Sequence, residues 1–249
     1  MDKLDYFEIA KSGYRLVYFN WQNALRLGLI PIVVILAVAV LSAILTGAIM
    51  ASAHGGNIGA VWGLGLLGAL LNLVSVVAIV PFLVAWHRFT YDVASNQMPQ
   101  AKLAVTKTEF VYFGYMVALA VAFGVVSFIG FAIAGMLGSL ILVAAMLYLM
   151  MRFGFVFPAL ALGRKTDPMQ SWRETSKSHI ELWLMALAVV VPMVVVGIVF
   201  STLGYAFAGI PVLGIILMIV LRVVGVAFYV AFLAAFASAL TLAYKQIVD

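Results

Sequence analysis

The chain has no cysteine, which excludes disulfides, thiolate metal sites and cysteine nucleophiles. Charge is scarce as well: 9% of residues are Asp, Glu, Lys or Arg, against about 25% in an ordinary soluble domain. No acidic residue lies inside a long apolar run, since Glu109 and Glu181 stand at run ends. A carboxylate relay for protons or sodium therefore has no seat within a span. There is no zinc-protease helix motif, no phosphate-cradling loop and no nucleophile elbow. His54, His87 and His179 lie in or near loops without metal-ligand spacing, so each reads as solvated or interfacial and no metal or cofactor is expected.

What is present is apolar. Hydrophobic residues make up 66% and mean hydropathy is +1.20, where soluble domains hold roughly 45–50% apolar residues. Apolar runs extend over Leu27 to Met50, Val61 to Trp86, Phe110 to Gly135, Ser139 to Leu162, Leu182 to Phe207 and Val212 to Ala243. A hydrocarbon core about 30 Å thick takes roughly 20 residues per helical span. Barrel strands are about ten residues of alternating character, whereas these runs are continuous, and only a helix satisfies their backbone within lipid. The expected fold is one all-α membrane domain over residues 1–249, a bundle of six transmembrane helices at about 27–50, 61–86, 110–135, 139–162, 182–207 and 223–243.

The charges sort by loop. Lys3, Lys11, Arg15 and Arg26 precede the first run, Arg88, Lys102 and Lys107 follow the second, Arg164, Lys165, Arg173 and Lys177 follow the fourth, and Lys245 follows the last. The intervening loops, Ala51 to Ala60, Met136 to Gly138 and Ala208 to Pro211, carry no Lys or Arg. The positive-inside rule then puts both termini in the cytoplasm. Membrane lipids are the expected partners of the basic side, at about 1 kcal/mol per well-placed cation on anionic headgroups. Nucleic acid is not an expected partner, because no soluble module carries these charges.

Leu4, Phe7, Tyr14, Val17, Tyr18, Trp21 and Leu25 fall near one helical face ahead of the first span. That pattern predicts an interfacial helix over about 3–24 with its aromatic side in the cytoplasmic headgroup layer; the alternative is an extension of the first span. Thr106 with Glu109 and Ser178 with Glu181 match the reciprocal capping pattern and mark helix starts. Asp167-Pro168 followed by Gln170 predicts another start, with a short amphipathic helix from Pro168 to Lys177.

Two arginines fall inside apolar runs. Arg152 either snorkels or binds backbone carbonyls near the cytoplasmic surface, or lines a polar cavity. Arg222 is about 20 residues from the cytoplasmic end of the last run, which places it near the outer headgroups and predicts a separate outer-surface or re-entrant helix over 212–221. Gly63, Gly65, Gly68, Gly124 and Gly130 read as sites of close helix approach.

The stretch Val84-Ala85-Trp86-His87-Arg88-Phe89, then Arg152 with Pro158 and Ala159-Leu160-Ala161-Leu162-Gly163, then Ser171-Trp172-Arg173-Glu174-Thr175, resembles a six-span family of bacterial inner-membrane proteins. That family is similar to the membrane domain joined to some glycerophosphodiester phosphodiesterases. The resemblance covers most of the chain and implies a six-helix fold in a bacterial inner membrane; relatives carry an acidic residue soon after the His-Arg pair, and Asp92 is the nearest here. No phosphodiesterase domain is present, so no enzymatic activity is implied. Two classes of function follow: a non-enzymatic membrane component that binds lipids or other membrane proteins, or a permease for a small or amphiphilic solute. The candidate ligand or partner contacts are Arg152, Trp86, His87, Arg88 and Arg222. Pro31, Pro81, Pro158 and Pro192 would supply the permease with hinges or free carbonyls, and the same prolines are tolerated in static bundles. The first class is the expectation.

Overall fold

The computed structural model describes residues 5–99, 102–208, 210 and 213–249, with side chains except those at 127–141, 143–144, 205, 208, 213–215 and 218. Among the described residues eight α-helices form: α1 (Tyr6–Phe19), α2 (Trp21–His54), α3 (Ile58–Ala94), α4 (Lys107–Phe153), α5 (Val156–Ala161), α6 (Pro168–Glu174), α7 (His179–Ala208) and α8 (Leu213–Val248). A 3-10 turn, Thr175–Lys177, links α6 to α7, and no strand occurs among the described residues. Among the described residues five helical segments are long and apolar enough to cross a membrane: Trp21–His54, Ile58–Ala94, Lys107–Val126, His179–Gly204 and Ile219–Val248. Ala145–Ala161 is apolar but shorter over the described residues.

Local chemistry explains where these helices begin and end. Thr106 and Glu109 form the reciprocal cap: Thr106 N–H donates to Glu109 Oε2 at 2.7 Å and Thr108 N–H to Thr106 Oγ1 at 3.3 Å. Asp167 Oδ1 accepts from Gln170 N at 2.7 Å ahead of Pro168, and α6 with its 3-10 turn fills the segment predicted from Pro168 to Lys177. The turn between α2 and α3 needs a left-handed residue, supplied by Gly56 at φ +72°, after which Asn57 N–H closes onto Ser52 O at 2.9 Å. This is the glycine-terminated helix end in which a donor beyond the cap satisfies an orphan carbonyl.

Helical backbone runs through Met136 to Gly138, where a tight turn was expected, yet the two ends of α4 return to one place. Tyr112 and Phe157 have ring centroids 4.8 Å apart, and Tyr115, Leu119 and Phe153 line a common recess. A straight helix would separate Tyr112 from Phe153 by about 60 Å at 1.5 Å per residue. The chain therefore reverses between Leu119 and Phe153. Of the expected turn at Ala208 to Pro211, Gly209 and Pro211 lie outside the described residues.

Two expectations are corrected. Residues 213–221 belong to α8, which continues through Arg222 without interruption; no proline lies among them to break the ladder, so the separate outer helix expected over 212–221 does not form, Val212 itself lying outside the described residues. The N-terminal helix ends at Phe19 rather than near residue 24, because Asn20 turns its side-chain N–H (2.9 Å) and backbone N–H (3.1 Å) back onto Leu16 O. Lys3 and Leu4 lie outside the described residues.

Helix α1 docks on the bundle by a face of small residues. Ile9, Ala10 and Gly13 are its buried positions, and a Cβ on Gly13 would sit 2.7 Å from Ala235 O and 3.2 Å from Ala239 Cβ on α8. Only a residue without a side chain permits that approach. The aromatic face predicted for lipid is divided: Phe7, Tyr18, Trp21 and Leu25 are exposed, whereas Tyr14 and Val17 pack against the bundle and Tyr14 Oη donates to Val189 O on α7 at 2.6 Å. Helix α8 is the hub, touching α1, α2, α3, α5 and α7.

Burial is concentrated at the charged end of the bundle. Helix α3 buries residues from Ile79 to Thr90 and none before Ile79. On α7 the buried residues run from Leu182 to Val189, and on α8 from Val230 to Tyr244. Opposite this end, Ile44, Leu66, Leu70, Ile198, Ile219 and Val223 are exposed, as a lipid-facing surface requires.

Candidate functional site

Trp86, His87 and Arg88 occupy successive positions near the charged end of α3, so their side chains fan out toward three different neighbours. Trp86 is fully buried, stacked between Phe82 (6.1 Å) and Phe89 (4.9 Å). Its Nε1–H donates to Ser238 Oγ on α8 at 2.8 Å, and Thr90 Oγ1 lies 3.2 Å from the same hydroxyl. An indole buried without such an acceptor would forfeit a hydrogen bond it makes in water.

His87, expected to be solvated or interfacial, is instead buried at 1% exposure, because both ring nitrogens find partners where three helices meet. Nδ1 is 2.6 Å from Thr241 Oγ1 on α8, and Nε2 is 3.1 Å from Tyr112 Oη on α4. Thr241 spends its one hydroxyl proton on Ala237 O at 2.8 Å, so it accepts from His87 Nδ1–H. Nε2 is then left as the acceptor for the Tyr112 hydroxyl. That sequence of donors assigns the neutral Nδ1–H imidazole.

Arg88 leaves the buried layer toward its edge. Nε–H donates to Ala161 O at the end of α5 (2.6 Å), and Nη1 is 3.7 Å from Glu109 Oε1, the carboxylate that also caps α4. Gly163, at φ +73°, lets the chain close α5 with Arg164 N–H bonded to Ala159 O at 2.9 Å. Helix ends of α4 and α5 are thereby tied to α3 through one guanidinium.

Arg152 forms a separate group in the last turn of α4. It is 5% exposed, Nη2–H donates to Trp172 O at 2.8 Å, and its guanidinium carbon lies 4.1 Å from the centre of the Trp172 ring. Its own carbonyl accepts from Ser171 Oγ at 2.9 Å and from Thr175 Oγ1 at 3.3 Å. The arginine thus clamps α6 and the 3-10 turn onto the end of α4. Nε is buried without a hydrogen-bond partner among the described residues. Arg222 is exposed on α8, far along the helix from the buried layer, so the structure gathers Trp86, His87 and Arg88 together and leaves Arg152 and Arg222 apart.

Several residues here escape a charge-based reading. Thr90, Tyr112, Ser238 and Thr241 complete the buried layer, and their signal in sequence is faint: hydroxyls three residues apart on α8, placed within an alanine-rich run. A second cluster sits outside it. Arg164 bonds Asp249, Tyr244 Oη (3.1 Å) and Tyr91 Oη (2.9 Å), while Lys245 Nζ reaches Ala94 O and Ser95 Oγ (2.8 Å). The Arg164 guanidinium holds the Asp249 carboxyl below the ordinary carboxylate range, and Asp249 in turn pushes Arg164 up.

A recess of about 130 Å³ lies between the two ends of α4, lined by Tyr115, Leu119, Phe153, Val156, Phe157 and Pro168. Neither Arg152 nor the Trp86-His87-Arg88 group lines it. Among the described residues no group of three or more His, Asp or Glu is placed to hold a metal ion. Comparison with protein-family models, with curated proteins and with solved structures gives no match.

Proposed function

We propose that this chain is a non-enzymatic component of a bacterial inner membrane, multi-pass with six spans and both termini cytoplasmic, and that it binds lipids and partner proteins rather than moving a solute. The observation that carries the reading is the use made of Arg152: its guanidinium is stacked on Trp172 and bonded to a backbone carbonyl, and it does not border the recess. Trp86, His87 and Arg88 are likewise spent on interhelical bonds. A transport site needs polar groups left free for a solute, and these are engaged with side chains and carbonyls of neighbouring helices.

The six-span topology is supported by the reversal within Lys107–Phe153, which gives that segment two antiparallel arms. Inward orientation of the charged end is supported by the positive-inside rule applied to the loops. The outward-turned Tyr18, Phe19 and Trp21, with Arg15 and Arg26 also exposed nearby, suit the cytoplasmic headgroup layer. The glycerophosphodiesterase-associated membrane-domain family remains the proposed kinship, on the motifs around Trp86, Arg152 and Trp172.

Gentle purification followed by mass spectrometry of what stays bound tests the assignment. Phospholipid or a second polypeptide at fixed stoichiometry is the expected result. A small solute retained through purification, or Arg152→Ala abolishing uptake while protein levels hold, would contradict it.

A further inference from the structure

Two threonines on the lipid-facing halves of the helices satisfy their hydroxyls within their own helix. Thr46 Oγ1 donates to Ser42 O at 2.8 Å and Thr202 Oγ1 to Ile198 O at 2.9 Å, the back-bond that lets threonine sit in hydrocarbon. Asn72 on α3 is different. Its Nδ2 donates to Gly68 O at 2.9 Å, which uses one of the carboxamide's two N–H groups and leaves the other, with Oδ1, unmatched among the described residues. The residue is exposed.

Its depth makes this costly. At 1.5 Å per residue Asn72 is about 21 Å from Ile58 at one end of α3 and about 24 Å from Arg88 near the other, which puts it near the middle of the bilayer. Water is not available there to complete the amide's bonds. Gly65 and Gly68, seven and four residues earlier on the same helical face, have nothing within 4 Å of where a Cβ would stand. The backbone of another helix can therefore come close beside the carboxamide.

We infer that this face of α3 is the contact between two copies of the chain, with Asn72 of each copy donating its free N–H to Oδ1 of the other. A carboxamide is its own complement, carrying one donor for each acceptor. Two copies inserted in the same orientation are related by a two-fold axis along the membrane normal, so the two Asn72 residues meet at equal depth without further adjustment. A different protein would have to present a matching polar group at mid-bilayer. The inference rests on the membrane-component reading only in requiring α3 to cross the bilayer.

Because the chain has no cysteine, single-cysteine variants of the full chain can be oxidised in native membranes and resolved without reductant. Ala69→Cys, beside Asn72, is expected to give a disulfide-linked dimer, and Leu70→Cys, on the opposite face, is not. Adding Asn72→Leu to Ala69→Cys should lower the dimer yield about three- to fifteen-fold, the range for interhelical hydrogen bonds in membranes; Asn72→Gln should retain it. Equal cross-linking from both faces, or a dimer indifferent to Asn72→Leu, overturns the inference. A cross-linked product containing another polypeptide assigns the face to that protein and overturns it too. Ala53→Cys, just before α3, labelled from the far side of the membrane while Gln97→Cys, just after it, stays protected reports that α3 crosses, so failure of the span is distinguished from failure of the contact.

Discussion

The two ends of this bundle are made from nearly the same apolar residues and are held in different ways. At the charged end, α3 and α8 interlock through Trp86–Ser238 and His87–Thr241, and α1 fits against α8 at Gly13. At the other end, the same helices expose Leu66, Leu70, Ile219 and Val223, and no buried residue precedes Ile79 on α3. Lipid is as apolar as leucine, so leucines alone give helices little reason to associate. Association comes where small residues permit contact and hydrogen bonds specify it, and both are gathered at one end.

Substitutions at matched positions sharpen that contrast. Trp86→Ala should lower unfolding stability in bicelles by about 3–5 kcal/mol, as expected for emptying a buried aromatic site, while Trp62→Ala, on a side chain 76% exposed, should change it by less than about 0.5 kcal/mol. Equal losses at the two tryptophans would erase the distinction between the ends. Arg152→Ala should cost about 2–3 kcal/mol by removing a charged hydrogen bond and the stacking on Trp172, seen as faster proteolysis around α6. Arg152→Lys should recover only part of this, since an ammonium lacks the planar face.

Glycines give the same contrast with a change of sign. Gly13→Ala should destabilise by about 1–2 kcal/mol, because its Cβ meets the backbone of α8 and the bundle must shift. Gly47→Ala, which faces open space, should stabilise by about 0.5–1 kcal/mol through helix propensity. Thermal unfolding of the two variants side by side reads the difference.

The smallest effect concerns pH. Asp249 is held below its unfolded value by Arg164, so the contact's stabilisation is present above the unfolded pKa of about 3.9 and is lost as pH falls through the depressed folded one. The pair is partly exposed, and the loss should be about 0.5 kcal/mol. Amide exchange at the end of α8 should rise below pH 4 in the native chain and lose this dependence in Asp249→Asn.

Helix content and starting points were legible because they depend on neighbours in sequence. The apolar runs, the Thr106–Glu109 cap and the Asp167-Pro168 start are all local patterns. Length alone misled at 212–221: counting one bilayer thickness back from Ala243 invented an end at Arg222, whereas α8 has about 54 Å of unbroken helix at 1.5 Å per residue, more than the hydrocarbon requires. Helix α1 was legible as amphipathic, but the face it docks is carried by Ala10 and Gly13, residues that periodicity scores weakly. The partners of Trp86 and His87 were hidden because Ser238 and Thr241 lie more than 150 positions away, and a hydroxyl in an alanine-rich helix has no distinctive spacing. Arg152 was identified by its charge; its role on Trp172 depends on how α6 folds back.

The orientation of the packed end is open to one direct measurement. Single cysteines at Ala53 in the uncharged end and at Gln97 in the charged loop, each in an otherwise cysteine-free chain, are exposed to a membrane-impermeant maleimide added outside intact spheroplasts. Labelling of Ala53→Cys with Gln97→Cys protected until lysis is the predicted result. Labelling of Gln97→Cys before lysis would place the hydrogen-bonded end outside the cell and contradict the topology.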